Sequence, residues 1–127
     1  MNDRLLVDTD VLIDYLRGRA EAVEFLESRT EELLISAMSI AELHAGVREG
    51  EERSALSEFL TAFEIVPIDR ATAERGGLLR RDYGRSHGVG LADALIAATA
   101  ELAQVRLATL NRKHFPMLSG IVLPYTK

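Results

Sequence analysis

The sequence contains no cysteine and no tryptophan among its 127 residues. Without cysteine there is no disulfide, no thiolate metal site and no cysteine nucleophile, and this composition suits a reducing cytoplasm. No apolar run approaches the roughly 18 residues that span a membrane. The first ten residues, MNDRLLVDTD, carry acidic side chains on both sides of a short apolar run, which is unlike a signal peptide. We therefore expect a cytoplasmic protein that does not cross a membrane.

Positive charge is also scarce. The chain has 15 Lys and Arg against 20 Asp and Glu, which gives a formal net charge of −5. A protein that holds nucleic acid by bulk positive charge has the opposite balance. If this protein handles phosphate, a local basic patch or a metal ion has to do so. Its length and its 47% of hydrophobic residues indicate one globular domain without repeats or linkers.

Apolar runs and helical patterns alternate along the chain. Short apolar runs predict strands at 4–8, 33–36, 64–68, 106–109 and 120–123. Helical patterns occupy 8–18, 22–26, 38–49, 56–63, 70–85 and 91–103. Pro67 indicates an edge strand or a strand end. This alternation predicts an α/β fold with a mostly parallel sheet of four to five strands joined by right-handed crossovers.

Polar residues follow the predicted strands at the edge where such sheets bind ligands. Asp8 ends the first strand, and Asn111 lies just past the fourth. Asp93 stands in the first turn of the most apolar helix, whose start can reach the same edge, and burying a carboxylate there is costly without a cation. Glu42 lies on the third predicted helix and is a further acidic candidate.

Each acid also has a purely structural explanation. Asp8 can cap the helix that it precedes, and a first-turn Asp93 is favoured by the helix dipole. Ser39 and Glu42 fit the S-x-x-E capping-box pattern. If the three carboxylates converge, however, they repel one another unless a divalent cation binds. Oxygen ligands favour Mg²⁺ or Mn²⁺, and the three histidines, which show no zinc spacing, are expected at the surface or in a supporting role: His44, His87 and His114.

Four segments occur in an order and at spacings that resemble the PIN-domain ribonucleases, and more narrowly the VapC toxins of prokaryotic toxin–antitoxin pairs. These segments are VDTDVLIDYLRG, SAMSIAELHAG, GLADALIAATA and LATLNRKHF. The resemblance covers essentially the whole chain. It implies a three-layer α/β/α sandwich around a parallel sheet, with an acidic quartet that binds Mg²⁺ or Mn²⁺.

The resemblance assigns roles residue by residue. The quartet positions match Asp8, Glu42, Asp93 and Asn111, of which the three acids would hold the metal. Asn111 departs from an expected acid, and its amide adds no negative charge, so a second metal should bind weakly or need the RNA phosphate. The small polar positions that support the pocket match Thr9, Ser39 and Thr109.

The resemblance also implies a reaction and partners. The reaction is metal-assisted hydrolysis of an RNA phosphodiester, in which no protein general base is needed. The expected partners are the RNA substrate, a cognate VapB-type antitoxin that blocks the pocket, and a second copy of the chain in a homodimer. A spare apolar surface on the helix at 38–47 would be consistent with such pairing.

Arginine supplies 13 of the 15 basic residues, which suits bidentate phosphate contacts. Five basic residues stand beside the predicted pocket in the sequence: Arg80, Arg81 and Arg85 before the glycine-rich loop, and Arg112 and Lys113 after Asn111. They either contact RNA there or are solvated helix-face charges paired with Glu74 or Asp82.

Two other functions fit parts of the pattern. DTDVLID also resembles the D-x-D-x-(T/V)-L motif of haloacid-dehalogenase-type phosphotransferases, in which Asp8 would be the nucleophile and Asp10 a general acid. Against this, Val11 stands where that motif usually has glycine. Alternatively, Asn111 suggests a catalytically weak PIN-like module that binds RNA or protein.

Overall fold

The computed structural model describes residues 3–127 as a parallel sheet flanked by helices. The strands are β1 (Arg4–Val7), β2 (Glu32–Ser36), β3 (Glu64–Val66), β4 (Arg106–Ala108) and β5 (Ile121–Val122). The helices are α1 (Thr9–Leu16), α2 (Ala20–Glu27), α3 (Ala37–Ala45), α4 (Glu51–Leu60), α5 (Arg70–His87) and α6 (Leu91–Ala103), with a 3₁₀ turn at Arg112–His114. No helix in this range is long and apolar enough to span a membrane.

The sheet is parallel throughout, with the strand order β3-β2-β1-β4-β5. The first strand therefore lies at the centre, where Leu6 is in register with Leu34 on one side and Leu107 on the other. Because successive side chains of a strand point to opposite faces, Leu6 packs under α5 and α6 while Val7 packs under α1 to α4. This confirms the predicted three-layer α/β/α arrangement.

Most element boundaries follow the local signals. β3 is an edge strand that ends immediately before Pro67, as the missing amide donor requires. α5 runs two residues beyond its predicted end and stops at Gly88, whose φ of 65° is left-handed. α6 coincides with its prediction.

The predicted capping box at Ser39 and Glu42 is wrong. α3 begins at Ala37, and its cap is Ser36 at the end of β2, which accepts a hydrogen bond from the Met38 amide at 3.0 Å. Ser39 is therefore inside the helix and fully buried. The helix also ends at Ala45, short of the predicted residue 49.

The apolar surface expected at 38–47 is limited to Leu43 and Val47, which line a groove between α1, α3 and α4. Leu43 is buried, and Met38 and Ile40 pack against the two cores. Large apolar side chains that remain exposed lie instead on other elements, among them Leu78 of α5 and Leu91 and Leu102 of α6.

Candidate active site

The carboxyl ends of the central strands open into a cleft of about 450 Å³. It is lined by Asp8, Thr9, Asp10, Ile13, Glu42, Ala45, Asp93 and Asn111, and we call it the acidic cleft. The four positions of the predicted quartet all contribute to its lining. They come from four separate parts of the chain, which the parallel sheet and its crossovers bring to one edge.

Asp8 is held rigidly at the floor of the cleft. Its side chain is only 5% exposed, and its Oδ1 accepts a hydrogen bond from the Thr9 amide at 2.8 Å, as a helix cap does. Its Oδ2 accepts from the Thr109 hydroxyl at 2.7 Å, which ties β1 to β4. Burial, and then the negative charge of Asp10, raise the pKa of Asp8 to about 7 against the lowering effect of these hydrogen bonds.

Asp10 is a cleft residue that the quartet motif does not include. Its Oδ2 accepts a hydrogen bond from the Leu110 amide at 3.1 Å, whereas its Oδ1 is buried and has no partner among the described residues. Burial raises the pKa of Asp10. The sequence signal that could have placed Asp10 in the cleft was its position two residues after Asp8, at the start of the same helix.

A chain of hydroxyls orients Glu42. The Thr9 hydroxyl donates to Glu42 Oε1 at 2.6 Å. The Ser39 Oγ lies 2.8 Å from the same Thr9 oxygen, and because Thr9 has used its one proton, Ser39 donates to it. These contacts join α1 to α3 beside the cleft, so Thr9 and Ser39 occupy the supporting positions that the resemblance implied.

On the opposite wall, Asp93 is linked to Asn111 through a histidine. The Asp93 side chain is 28% exposed, and its Oδ2 lies 3.1 Å from Nδ1 of His114. Burial raises the pKa of Asp93, while His114 opposes the rise. The same Nδ1 lies 2.7 Å from the Asn111 amide nitrogen, so it donates to Asp93 in one tautomer or accepts from Asn111 in the other. His114 is thus next to the cleft, in keeping with a supporting role.

The predicted basic residues fall into two groups. Arg112 and Lys113 border a groove that shares Asn111 with the acidic cleft. Arg80, Arg81 and Arg85 lie on α5 and are not among the residues that line the acidic cleft. The Nε of Arg81 is 2.9 Å from Asp82, which fits the solvated-charge interpretation, and Glu74 pairs with Arg70.

The donor chemistry of the cleft fits a hard divalent cation. Asp8, Asp10 and Asp93 all have raised pKa values, and the buried Asp10 Oδ1 lacks a partner. Within residues 3–127 the acids and histidines nevertheless form no ready-made set of three ligands. Glu42 and Asp93 each have one oxygen engaged already, with Thr9 and His114 respectively.

The PIN-domain family model matches residues 5–118. The chain belongs to the PIN-domain family. This PIN domain is 44% identical over 124 residues to Ribonuclease VapC10 of Mycobacterium tuberculosis, covering 95% of this chain and 92% of that protein. It is 40% identical to Ribonuclease VapC19 of the same organism, covering 94% and 98% of the two chains.

Solved structures show the same architecture. A toxin–antitoxin complex from Klebsiella pneumoniae contains a chain that matches the PIN domain with a TM-score of 0.84 and 34% identity, over 97% of this chain and 99% of that one. VapBC2 from Rickettsia felis, bound to a DNA fragment from its promoter, matches with a TM-score of 0.75 and 25% identity, over 94% and 96%. The family match decides against the haloacid-dehalogenase-type interpretation of Asp8 and Asp10.

Proposed function

We propose that residues 1–127 form a single nuclease domain that hydrolyses RNA phosphodiester bonds and acts as the toxin of a VapBC-type pair. The observation that carries this proposal is the acidic cleft, in a chain that is 44% identical to a protein named as a ribonuclease. Because the proposed substrate is cellular RNA, we propose the cytoplasm as the place of action.

The proposed cofactor is Mg²⁺ or Mn²⁺, held by Asp8 and Asp93, with Glu42 binding directly or through water. When bound, such a cation lowers the pKa of a water molecule and offsets negative charge on the reacting phosphate. Oxygen donors in a partly buried cleft favour these ions over zinc. Asp10 Oδ1, buried without a partner among the described residues, supports a cation in the cleft as well.

The side chains of the cleft have distinct proposed tasks. Thr109 and the Thr9 amide fix both oxygens of Asp8, so that its carboxylate does not reorient. Asn111 is neutral and can orient water or a phosphate oxygen without holding a cation by charge. The described lining residues include no lysine, and no protein general base is needed for the proposed reaction.

RNA phosphates are proposed to contact Arg112 and Lys113, which border the neighbouring groove. Arg80, Arg81 and Arg85 remain proposed RNA contacts farther from the cleft. Since the acids of the cleft repel phosphate at long range, cations at the border of the acidic cleft are needed to hold the RNA.

A VapB-type antitoxin is the proposed inhibitory partner. A groove of about 530 Å³ runs between α1, α3 and α4, and it shares Ile13 and Glu42 with the acidic cleft. Leu16, Val47 and Leu56 give it an apolar wall. The similar chain from Klebsiella pneumoniae belongs to a toxin–antitoxin complex. A segment seated in this groove would reach the cleft and block it.

We also propose a homodimer. The exposed side chains of Leu78, Leu91 and Leu102 on α5 and α6 offer apolar surface that a second copy could bury.

The central test compares Asp93→Asn with wild type. Purified wild-type protein should cleave RNA in Mg²⁺ or Mn²⁺ and stop when EDTA is added. Asp93→Asn should lower the cleavage rate by about a hundredfold or more, which is on the order of 3 kcal/mol of transition-state stabilisation. Asp82→Asn, which removes an exposed acid of α5, is the matched control and should cleave normally.

Two results would contradict parts of the proposal. Undiminished cleavage in EDTA would exclude the metal dependence. Intact Mn²⁺ binding without cleavage of total cellular RNA would favour the alternative of a catalytically weak binding module.

A further inference from the structure

A second groove, of about 490 Å³, continues from the acidic cleft at Asn111. Its lining comprises Leu110, Asn111, Arg112, Lys113, Leu123, Tyr125, Thr126 and Lys127, and we call it the tail groove. One wall is the turn that follows β4, and the other is the segment 123–127. None of the predicted quartet except Asn111 belongs to it.

The wall at 123–127 is anchored by a buried carboxylate of α1. Asp14 is only 6% exposed, and its Oδ2 accepts a hydrogen bond from the Tyr125 hydroxyl at 2.8 Å. The Lys127 ammonium lies 3.0 Å from the same oxygen. Against the effect of burial, Lys127 and Tyr125 lower the pKa of Asp14, so this carboxylate is charged at neutral pH. Because α1 begins in the acidic cleft, Asp14 fixes the tail relative to the cleft.

Tyr125 is an aromatic residue that lines this groove. Its hydroxyl is fixed by Asp14, and the Arg19 guanidinium lies 5.6 Å from its ring centroid. The ring is half-buried and belongs to the lining. A ring fixed at its hydroxyl end loses little conformational entropy when a planar group stacks on it.

Two further cations line the same groove as this ring. Arg112 and Lys113 are exposed and form no ion pair within the part of the chain that the structure describes. Two free cations side by side are notable in a chain of net charge −5. An aromatic ring flanked by cations matches single-stranded nucleic acid, in which phosphates contact the cations and a base stacks on the ring.

We infer that the tail groove binds the RNA nucleotides adjacent to the cleaved phosphate, with one base against Tyr125 and phosphates on Arg112 and Lys113. This inference rests on the proposed ribonuclease function. The continuity of the two pockets at Asn111 lets one strand pass from the cleft into the groove.

The first experiment measures binding of a short fluorescent single-stranded RNA by anisotropy in EDTA, so that binding is observed without the proposed cleavage. Tyr125→Leu should weaken binding about tenfold, which corresponds to about 1.4 kcal/mol. Tyr125→Phe keeps the ring and should bind within about threefold of wild type. Equal losses in both variants, or no loss in either, would overturn the stacking role.

The second experiment separates phosphate contacts from stacking. Lys113→Ala should reduce the slope of log K against log salt by about 0.7, whereas Tyr125→Leu should leave the slope unchanged. Arg106→Ala is the matched control, since Arg106 starts β4 at the opposite edge of the sheet and pairs with Glu31. An equal slope change in Arg106→Ala would show a bulk charge effect and overturn the assignment.

The third experiment uses the wild-type chain alone and so needs no folded variant. Photo-crosslinking with RNA that contains 4-thiouridine should label residues 123–127. Labelling only elsewhere would overturn the inference and leave the groove for a protein partner. If wild type cleaves RNA and all variants bind RNA as wild type does, the tail-groove inference is wrong while the proposed ribonuclease function stands. If RNA binding depends on Tyr125 but no metal-dependent cleavage occurs, the proposed ribonuclease function is wrong while RNA binding in the tail groove stands.

Discussion

At the scale of single residues, the buried charge of Asp8 has a consequence for stability. Its folded-state pKa of about 7 lies above the ordinary value of 3.8. At a pH between these two pKa values, Asp8 keeps a proton in the folded chain that it has released in the unfolded chain. The free energy of unfolding therefore falls as pH rises. The raised pKa values of Asp10 and Asp93 act in the same direction.

We expect the metal-free protein to lose on the order of a few kcal/mol of stability between about pH 4 and pH 8. Asp8→Asn should flatten much of this dependence, since the amide carries no charge. Urea unfolding in EDTA across this range measures the effect. Asp82→Asn should retain the wild-type slope, and a wild-type stability that is constant with pH would contradict the buried-charge account.

Asn111 supplies a second prediction at this scale. Asn111→Asp adds a carboxylate to the acidic cleft and should tighten Mn²⁺ binding by about tenfold, since ligand charge sets the affinity of such sites. It should also lower the stability of the metal-free protein through like-charge repulsion. Titration calorimetry of the two proteins measures the affinities. Asn111→Ala should harm activity far less than Asp93→Ala, and unchanged affinity in Asn111→Asp would exclude Asn111 from the metal site.

At the scale of elements, α5 and α6 approach closely at a glycine. A Cβ at Gly76 would lie 2.5 Å from Leu95 Cδ2 and 3.2 Å from Leu95 Cα, whereas at the neighbouring Gly77 it would meet nothing within 4 Å. Gly76→Ala should therefore destabilise the fold by about 1–3 kcal/mol through overpacking. Gly77→Ala should stabilise it by about 0.5–1 kcal/mol through helix propensity. Thermal melts of the pair test the contact, and equal shifts would contradict it.

Sequence patterns predicted those features that depend on local chemistry. Apolar periodicity located the helices and strands, and the four motifs located Asp8, Glu42, Asp93 and Asn111. The start of α3 escaped prediction because Ser36 and Ser39 are both plausible caps, and only the length of β2 decides between them.

The rest of the site depends on distant parts of the chain. Thr109 reaches Asp8 across 101 positions, and Tyr125 reaches Asp14 across 111. Such pairings follow from the positions of β4 and β5 in the sheet, which no local pattern specifies. The sequence therefore indicated Arg112 and Lys113 but gave no signal for the part that Tyr125 plays in the tail groove.

At the scale of the whole molecule, a bound cation should add to the stability of the fold. At about 100 times Kd, Mn²⁺ should stabilise wild type by about 3 kcal/mol, which raises the melting temperature on the order of 10 °C. Asp93→Asn should lose most of this rise, yet in EDTA it should melt no lower than wild type, because repulsion is relieved. If Asp93 only stabilises the first turn of α6, its loss in Asp93→Asn should instead cost about 0.5–1 kcal/mol of stability, with or without the ion. Thermal melts with and without Mn²⁺ distinguish these outcomes.

The central position of β1 has a consequence for protein synthesis. The first strand of the sheet pairs early with β2 but waits about a hundred positions for its second neighbour, β4. Until then Asp8 has neither the Thr109 hydroxyl nor a closed sheet edge around it, and Asn111 does not yet exist. The acidic cleft is therefore assembled only after the chain has been made as far as Asn111, and the shorter nascent chain lacks it.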